Sequence, residues 1–193
     1  MTTKKRRLIN VSNRLPVQIR KQAGSIRVSP SSGGLATALN SAWGDRPGVW
    51  IGWPGTAQAP QQVEQMLSRA SRDRNYTLQG VMLSEHEVAK FYSGFANEII
   101  WPLFHDMSTR CNFEPDYWET YQQVNRKFAE VTAQHSTVED FIWAHDYHLM
   151  LMAAFMREQG SRARIGFFLH IPFPAPDIFE KLPWREPILR ALL

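Results

Sequence analysis

Short apolar runs and amphipathic stretches alternate along this chain, and their two periods predict strands and helices in turn. Leu8 to Val11 reads as a short buried strand, with Ser12, Asn13 and Arg14 beginning the loop after it. Ser29 to Gly34 is rich in turn residues. Leu35, Ala38, Leu39 and Ala42 then recur at helical spacing. Val49 to Trp53 is a strand stopped by Pro54 and Gly55. A helix is expected over Gln61 to Ser71 and a strand over Val81 to Leu83. Ser84 is a good N-cap, with Glu85 and Glu87 in the first turn of a helix whose stripe is Val88, Phe91, Tyr92 and Phe95. A longer helix starts near Pro115 and buries Tyr117, Tyr121, Val124, Phe128 and Val131. Phe141 to Trp143 is a strand leading into His145, Asp146, Tyr147 and His148. Leu149, Met152, Ala153 and Met156 form a helix that Gly160 ends. Ile165 to Leu169 is continuously apolar, as expected of a strand buried on both faces. Helical segments over Asp177 to Leu182 and Trp184 to Leu193 finish the chain.

Strands alternating with helices predict an α/β fold: a Rossmann-like, mostly parallel sheet with helices on both faces. Ligands of such sheets bind beyond the carboxyl ends of the strands. Four exits carry polar or aromatic groups: Asn13 and Arg14; Gly52 and Trp53; His145 to His148; and His170, stiffened by Pro172 and Pro174. If the strands are neighbours, these groups line one crevice.

Each group has a functional and a plain reading. Gly33 and Gly34 precede a helix, so they form either a phosphate seat or a tight turn. Arg14 suits a phosphate or a surface ion pair. Asp146 suits sugar hydroxyls or a helix cap. His170 suits a sugar hydroxyl or developing charge, or is a satisfied core histidine. Tyr147 and His148 can simply pack on the sheet, and Tyr92 and Trp101 can pack in the core or stack on sugars. His145, Asp146, His148 and His170 match no standard zinc spacing, so no metal is expected. No nucleophile-elbow motif occurs.

Composition narrows the classes. With 44% hydrophobic and 21% charged residues, the 193-residue chain is an ordinary globular sequence. Seven tryptophans are many for this length, and core packing is the expected fate of most. The net charge of +4 includes the run Lys4 to Arg7, read as a solvated lead-in over residues 1–7 ahead of a domain at 8–193. No basic stripe or nucleic-acid motif follows, so nucleic acid is not an expected partner. No apolar run is long enough to span a membrane, and the N-terminus lacks a signal-peptide core. The single cysteine, Cys111, rules out an internal disulfide, is read as an inert thiol and fits a cytoplasmic protein.

Several segments together carry a family likeness: Val11 to Pro16, Ser32 to Leu35, Trp50 to Trp53, Trp101 to His105, His145 to His148 and Gly166 to Pro174. In order and spacing the chain resembles the trehalose-6-phosphate synthases, the retaining glycosyltransferases of family 20, from about Leu8 to its last residue. The likeness is weakest between Gly55 and Val81. It implies the N-terminal domain of a two-domain GT-B enzyme that moves glucose from UDP-glucose to glucose 6-phosphate. UDP-glucose would be a co-substrate, and no cofactor or metal is implied. The resemblance places Arg14, Trp53, Tyr92 and Trp101 on the glucose 6-phosphate acceptor. Gly34, beside Gly33, falls at the donor diphosphate, and Asp146 and His170 at the reaction centre. Attack from the leaving-group face, with the donor phosphate helping to take the acceptor proton, would need no protein nucleophile.

Members of that family continue well beyond the equivalent of Leu193. The chain is therefore expected to be truncated, with a C-terminal donor domain supplied in cis or in trans, and to have little or no activity alone. A homo-oligomer is left open. A related transferase such as glucosylglycerol-phosphate synthase, a non-catalytic sugar-phosphate-binding module and a metal-dependent hydrolase are the competing readings.

Overall fold

The computed structural model describes residues 6–22, 25–31, 34–56 and 59–193. Five parallel strands form the main sheet: β1 (Leu8–Arg14), β4 (Gly48–Trp53), β5 (Tyr76–Gly80), β6 (Phe141–His145) and β7 (Arg164–Phe168). Their spatial order is β5-β4-β1-β6-β7. The chain thus winds outward from β1 to β5, then returns to start again at β6 on the other side of β1. That reversal, between β1 and β6, is the switch point at which open α/β sheets leave a crevice. The α/β expectation holds.

An antiparallel hairpin, β2 (Val17–Gln22) and β3 (Ser25–Pro30), was not anticipated and follows β1 directly. Pro30 ends it, so the expected loop over Ser29 to Gly34 begins later. After the hairpin come α1 (Gly34–Trp43), α2 (Pro60–Ala70) and α3 (Glu85–Glu87). Ser84 caps α3 as expected, and the Glu87 side chain returns a bond to the Ser84 backbone N–H. The chain then winds as a π-helix over Val88–Ile100 and as α4 (Trp101–Phe104). α5 (Pro115–His135), α6 (Met152–Glu158), α7 (Pro176–Phe179) and α8 (Arg185–Leu192) complete it.

Each sheet face has its own core. On one, Leu8, Trp50, Tyr76 and Leu78 pack under the hairpin, α1 and α2 through Val17, Ile19, Leu39, Trp43, Val63 and Leu67. On the other, Ile9, Val11, Val49, Ile51 and Ile142 meet the π-helix, α5 and α6 through Phe91, Phe95, Val124, Phe128 and Met152. The alternation of neighbouring strand residues between these two cores is the period-2 pleat. Trp43 and Trp50 are buried, most other tryptophans are half-buried, and Trp101 is exposed.

Several local expectations need correction. On α1, Leu39 is buried as expected but Ala38 is exposed, with Ala36 and Trp43 buried beside the aromatic cluster of Trp43, Trp50 and Tyr76; the side chains of Leu35 and Ala42 lie outside the described residues. The strand expected at Val81 to Leu83 lies at Tyr76–Gly80, where Tyr76 and Leu78 are the alternating buried positions. Val81 and Leu83 are buried beyond the ladder's last paired residue. β7 is not covered on both faces: it is the edge strand, and Phe168 at its end is 49% exposed. Leu149 sits in a 3-10 turn (Tyr147–Leu149), so the following helix starts only at Met152. The basic lead is not wholly solvated, since Arg7 lies 3.6 Å from the buried carboxylate of Asp140. Gly160 ends its helix with φ +82°, as glycine readily does.

Candidate sugar-phosphate site at the switch point

The exit from β1 is the first wall of the crevice. Ser12 to Arg14 do not form a loop, as the sequence suggested, but continue the strand through a bulge. Val11 pairs with Ile51 and Arg14 with Trp53, so β1 uses one residue more than β4. Ser12 fixes the bulge by donating from Oγ to the Arg14 carbonyl at 2.8 Å, and accepts from Trp50 Nε1 at 2.8 Å. Gly52 makes room for it. A Cβ there would lie 2.8 Å from Arg14 C and Leu15 N, and 2.9 Å from Ser12 O.

The bulge aims Arg14 between two aromatic rings. Its guanidinium carbon is 4.9 Å from the centroid of Trp53 and 5.1 Å from that of Tyr92. Among the described residues no carboxylate pairs with it. Among the described residues the ion-pair reading of Arg14 is therefore replaced by a cation held on ring faces.

Tyr92 arrives from the π-helix. Its ring lies 5.6 Å from that of His148, nearly parallel at 13°. Five residues on, Asn97 Oδ1 accepts from Tyr147 Oη at 3.3 Å. On an α-helix, residues five apart point about 140° away from each other. Winding closed by i→i+5 bonds narrows that angle, and Tyr92 and Asn97 both reach the same 3-10 turn. Gly94 lets this helix lie against α5, for a Cβ there would be 2.8 Å from the Tyr117 ring.

The exit from β6 is the second wall. Asp146 has φ +73°, a strained conformation for a non-glycine residue. Its Oδ1 accepts from the backbone N–H groups of Tyr147 at 3.0 Å and His170 at 3.2 Å. The helix-cap reading is thus met, and the carboxylate also ties down the exit of β7. Burial raises the Asp146 pKa above the usual carboxylate value, with these bonds opposing. From beneath, α5 secures the turn. Tyr121 Oη donates to the Tyr147 carbonyl at 2.7 Å and accepts from the Met150 N–H at 3.2 Å. Asn125 donates to the His148 carbonyl at 3.1 Å and accepts from the Leu151 N–H at 3.2 Å.

The cavity so formed measures about 200 Å³ and is lined by Ser12, Asn13, Arg14, Tyr92, Asp146 and His148, among others. Ser31 and Ala36 also line it, which brings the start of α1 to its rim. Gly34 opens that helix, and a side chain there would meet nothing within 4 Å, so its backbone is approachable. Gly33 lies outside the described residues.

Several polar atoms in and beside this cavity are buried without a partner among the described residues: Asn13 Oδ1, Trp53 Nε1 and both ring nitrogens of His148. Each such atom costs free energy unless something bonds to it. The His148 ring is neutral, its pKa lowered to about 3 by burial and then by the charge of Arg14. Asn13 and His148, which the sequence placed at the crevice without giving either a ligand role, both line the cavity. His148 does not merely pack on the sheet but presents unsatisfied nitrogens beside Tyr92 and Asp146.

Arg14, Tyr92 and Asp146 line the cavity; Trp53 is not a lining residue but lies against Arg14, and Gly34 begins the helix whose Ala36 lines it. His170 is exposed and joins through Asp146 and through His145, whose Nδ1 lies 3.1 Å from His170 Nε2. Trp101 is not among the lining residues; it is 41% exposed and stacks on His105 at 4.2 Å. Both nitrogens of His145 are engaged, the second with Asn10 Oδ1 at 2.7 Å, so this ring has no free ligating atom for a metal.

This architecture is matched among known proteins. The profile described as Glycosyltransferase family 20 covers residues 6–193, and the chain belongs to that family. A trehalose-6-phosphate synthase of Mycobacterium leprae is 40% identical over 184 residues, 95% of this chain and 37% of that protein. A solved structure named as the trehalose-6-phosphate synthase OtsA superposes with a TM-score of 0.81 at 34% identity, covering 96% of this chain and 38% of that one. An α,α-trehalose-phosphate synthase (UDP-forming) from Burkholderia xenovorans, solved in complex with glucose-6-phosphate, gives 0.78 at 31% identity, with 96% and 38% covered. The chain thus spans a little over a third of the length of these relatives.

Proposed function

We propose that this chain forms the acceptor side of an α,α-trehalose-phosphate synthase (UDP-forming), a transferase of trehalose biosynthesis, and that its crevice holds glucose 6-phosphate. The observation that carries this reading is the set of unpartnered polar atoms around the Arg14 guanidinium. A cation with no ion-pair partner among the described residues, an indole N–H, an amide oxygen and a neutral imidazole are what a phosphorylated sugar needs: charge for the phosphate, donors and acceptors for hydroxyls. The family relative solved with glucose-6-phosphate supports the acceptor. Another relative, from E. coli, is solved bound with UDP-2-fluoro glucose, which supports the donor.

On this reading Arg14 takes the phosphate while Trp53 and Tyr92 hold its guanidinium in place. Trp101, exposed on the helical continuation of the rod that carries Tyr92, is assigned to the acceptor by family resemblance alone. The donor diphosphate sits over the start of α1, at Gly33 and Gly34. Asp146 spends Oδ1 on two backbone N–H groups and keeps Oδ2 for sugar hydroxyls. The bond from glucose C1 to the UDP oxygen breaks as the acceptor oxygen bonds to C1, and the acceptor proton passes to the departing phosphate. No side chain is needed as nucleophile and no metal or cofactor is invoked. Catalysis rests on positioning and on fixed dipoles. The uridine contacts come from a second domain, in cis or in trans. Sugar-phosphate chemistry and a single cysteine suit a cytoplasmic protein.

Calorimetric titration of the chain tests the proposal. Glucose 6-phosphate is expected to bind, glucose to bind far more weakly, and Arg14→Ala to abolish the difference. Absence of binding, or preference for glycerol 3-phosphate, would sink it.

A further inference from the structure

His145 is wholly buried, and the reaction sketched above gives it no task. It ends β6 on the sheet face that it shares with Asn10 of β1. Asn10 pairs with Trp143, and the pleat puts Asn10, Trp143 and His145 on the same side. His145 Nε2 lies 2.7 Å from Asn10 Oδ1, and His145 Nδ1 lies 3.1 Å from His170 Nε2. The two imidazole rings stack at 5.3 Å and 23°.

These contacts decide where the protons sit. An amide oxygen only accepts, so the contact to Asn10 needs a proton on His145 Nε2. Burial, and then the neighbouring His170, lower the His145 pKa to about 4, so near neutral pH the ring carries one N–H. Asn10 takes it. Nδ1 is then a bare acceptor, and the proton in the 3.1 Å contact belongs to His170 Nε2. The backbone of His170 is fixed too, because its N–H donates to Asp146 Oδ1.

We infer that Asn10 and His145 are positioning residues that hold His170 as its Nε2–H tautomer and leave Nδ1 as the nitrogen it offers to a ligand. In neutral His170 that nitrogen accepts, so it selects a donor, a sugar hydroxyl. Only the identity of this ligand rests on the function proposed above. Asn10 Nδ2 has no partner among the described residues. The reversed amide would set a donor against His145 Nε2 and invert both tautomers, which is the arrangement the test must separate.

The chain is labelled with 15N-histidine and long-range 1H–15N correlations are recorded near neutral pH. Both His145 and His170 are expected to show a protonated Nε2 and an unprotonated Nδ1, with His145 staying neutral down to about pH 5. A protonated Nδ1 on His145, or tautomer averaging in His170, overturns the inference. Asn10→Asp keeps an acceptor and holds a proton on His145 Nε2, though the carboxylate also favours the imidazolium. Asn10→Leu removes it and turns both rings into tautomer mixtures; unchanged rings in that variant also overturn the inference. If Asn10→Leu does not fold, the wild-type spectrum decides alone. Glucose 6-phosphate and UDP-glucose are then titrated on the same spectra. Expected tautomers with no ligand response defeat the sugar reading and spare the relay; ligand response with other tautomers defeats the relay alone.

Discussion

Arg14 and Tyr92 meet at 5.1 Å, guanidinium to ring centroid, although one ends a strand and the other rides a π-helix. With Trp53 on a second side at 4.9 Å, the cation is held before any ligand arrives. Lysine carries the same charge but has neither the planar fork nor the stacking surface. Arg14→Lys is therefore expected to weaken glucose 6-phosphate binding by roughly 10- to 100-fold, the scale of one charge-assisted hydrogen bond at about 1.5–3 kcal/mol. Thermal unfolding should change little, since among the described residues no carboxylate pairs with Arg14. Calorimetry against the wild-type chain checks both statements.

Gly52 controls the same cation from behind. An added Cβ would press on the backbone of Ser12, Arg14 and Leu15 rather than on a pliable side-chain tip. Gly52→Ala should therefore destabilise the fold by about 1–3 kcal/mol, the usual cost of overpacking. It should also lower sugar-phosphate affinity, because the bulge that aims Arg14 must move. Urea unfolding and ligand titration read the two effects separately; unchanged affinity would show that the bulge does not set the aim.

How much of this was legible in the sequence depends on the kind of signal. The strands around Val11, Ile51 and Ile142 declared themselves through apolar runs, and the helix start at Ser84 through its cap. The strand at Tyr76–Gly80 did not, because only Tyr76 and Leu78 are buried in a polar stretch. The hairpin at Val17–Gln22 and Ser25–Pro30 was hidden by its charged outward residues. Arg14, Trp53 and Asp146 were found because they follow strands. Asn13 and His148 were placed at the crevice without a role, since an unsatisfied polar atom is a property of the folded surroundings and leaves no mark on the sequence. Trp101 was named on resemblance alone, and it stands exposed outside the cavity lining.

Acid sensitivity follows from the two buried imidazoles. Their folded pKa values, about 4 for His145 and about 3 for His148, lie below the unfolded value. That unfolded value is about 6.5. Below it the unfolded chain binds protons that the folded chain refuses, so stability falls as pH falls, until the folded values are reached. Each ring contributes up to about 1.4 kcal/mol per pH unit. Asp146 works in the opposite sense: its carboxyl is raised by burial, so the folded state takes that proton first. The urea midpoint should therefore drop between about pH 6.5 and pH 5, above the carboxylate range. His148→Phe keeps a ring against Tyr92 and Tyr147 and should flatten the drop; an unaltered profile would contradict this account.

Asn125 offers the sharpest test of what holds the second wall. It is completely buried on α5, and its amide serves the His148 carbonyl and the Leu151 N–H, on either side of the residues Leu149 and Met150. Asn125→Leu keeps the branched heavy-atom shape but removes both bonds, leaving a buried acceptor and a buried donor unpaired. The cost is about 1–3 kcal/mol for each. Tyr121 still ties Tyr147 and Met150, so the turn should loosen rather than melt. Loosening moves His148 and Asp146 relative to Arg14, which sits on the other wall. The expected result is a clear loss of thermal stability together with weakened glucose 6-phosphate binding, while amide exchange quickens at residues 147–151 and stays slow in β1 and β4. Uniformly faster exchange across the sheet would instead mean that Asn125 supports the whole core and not this turn.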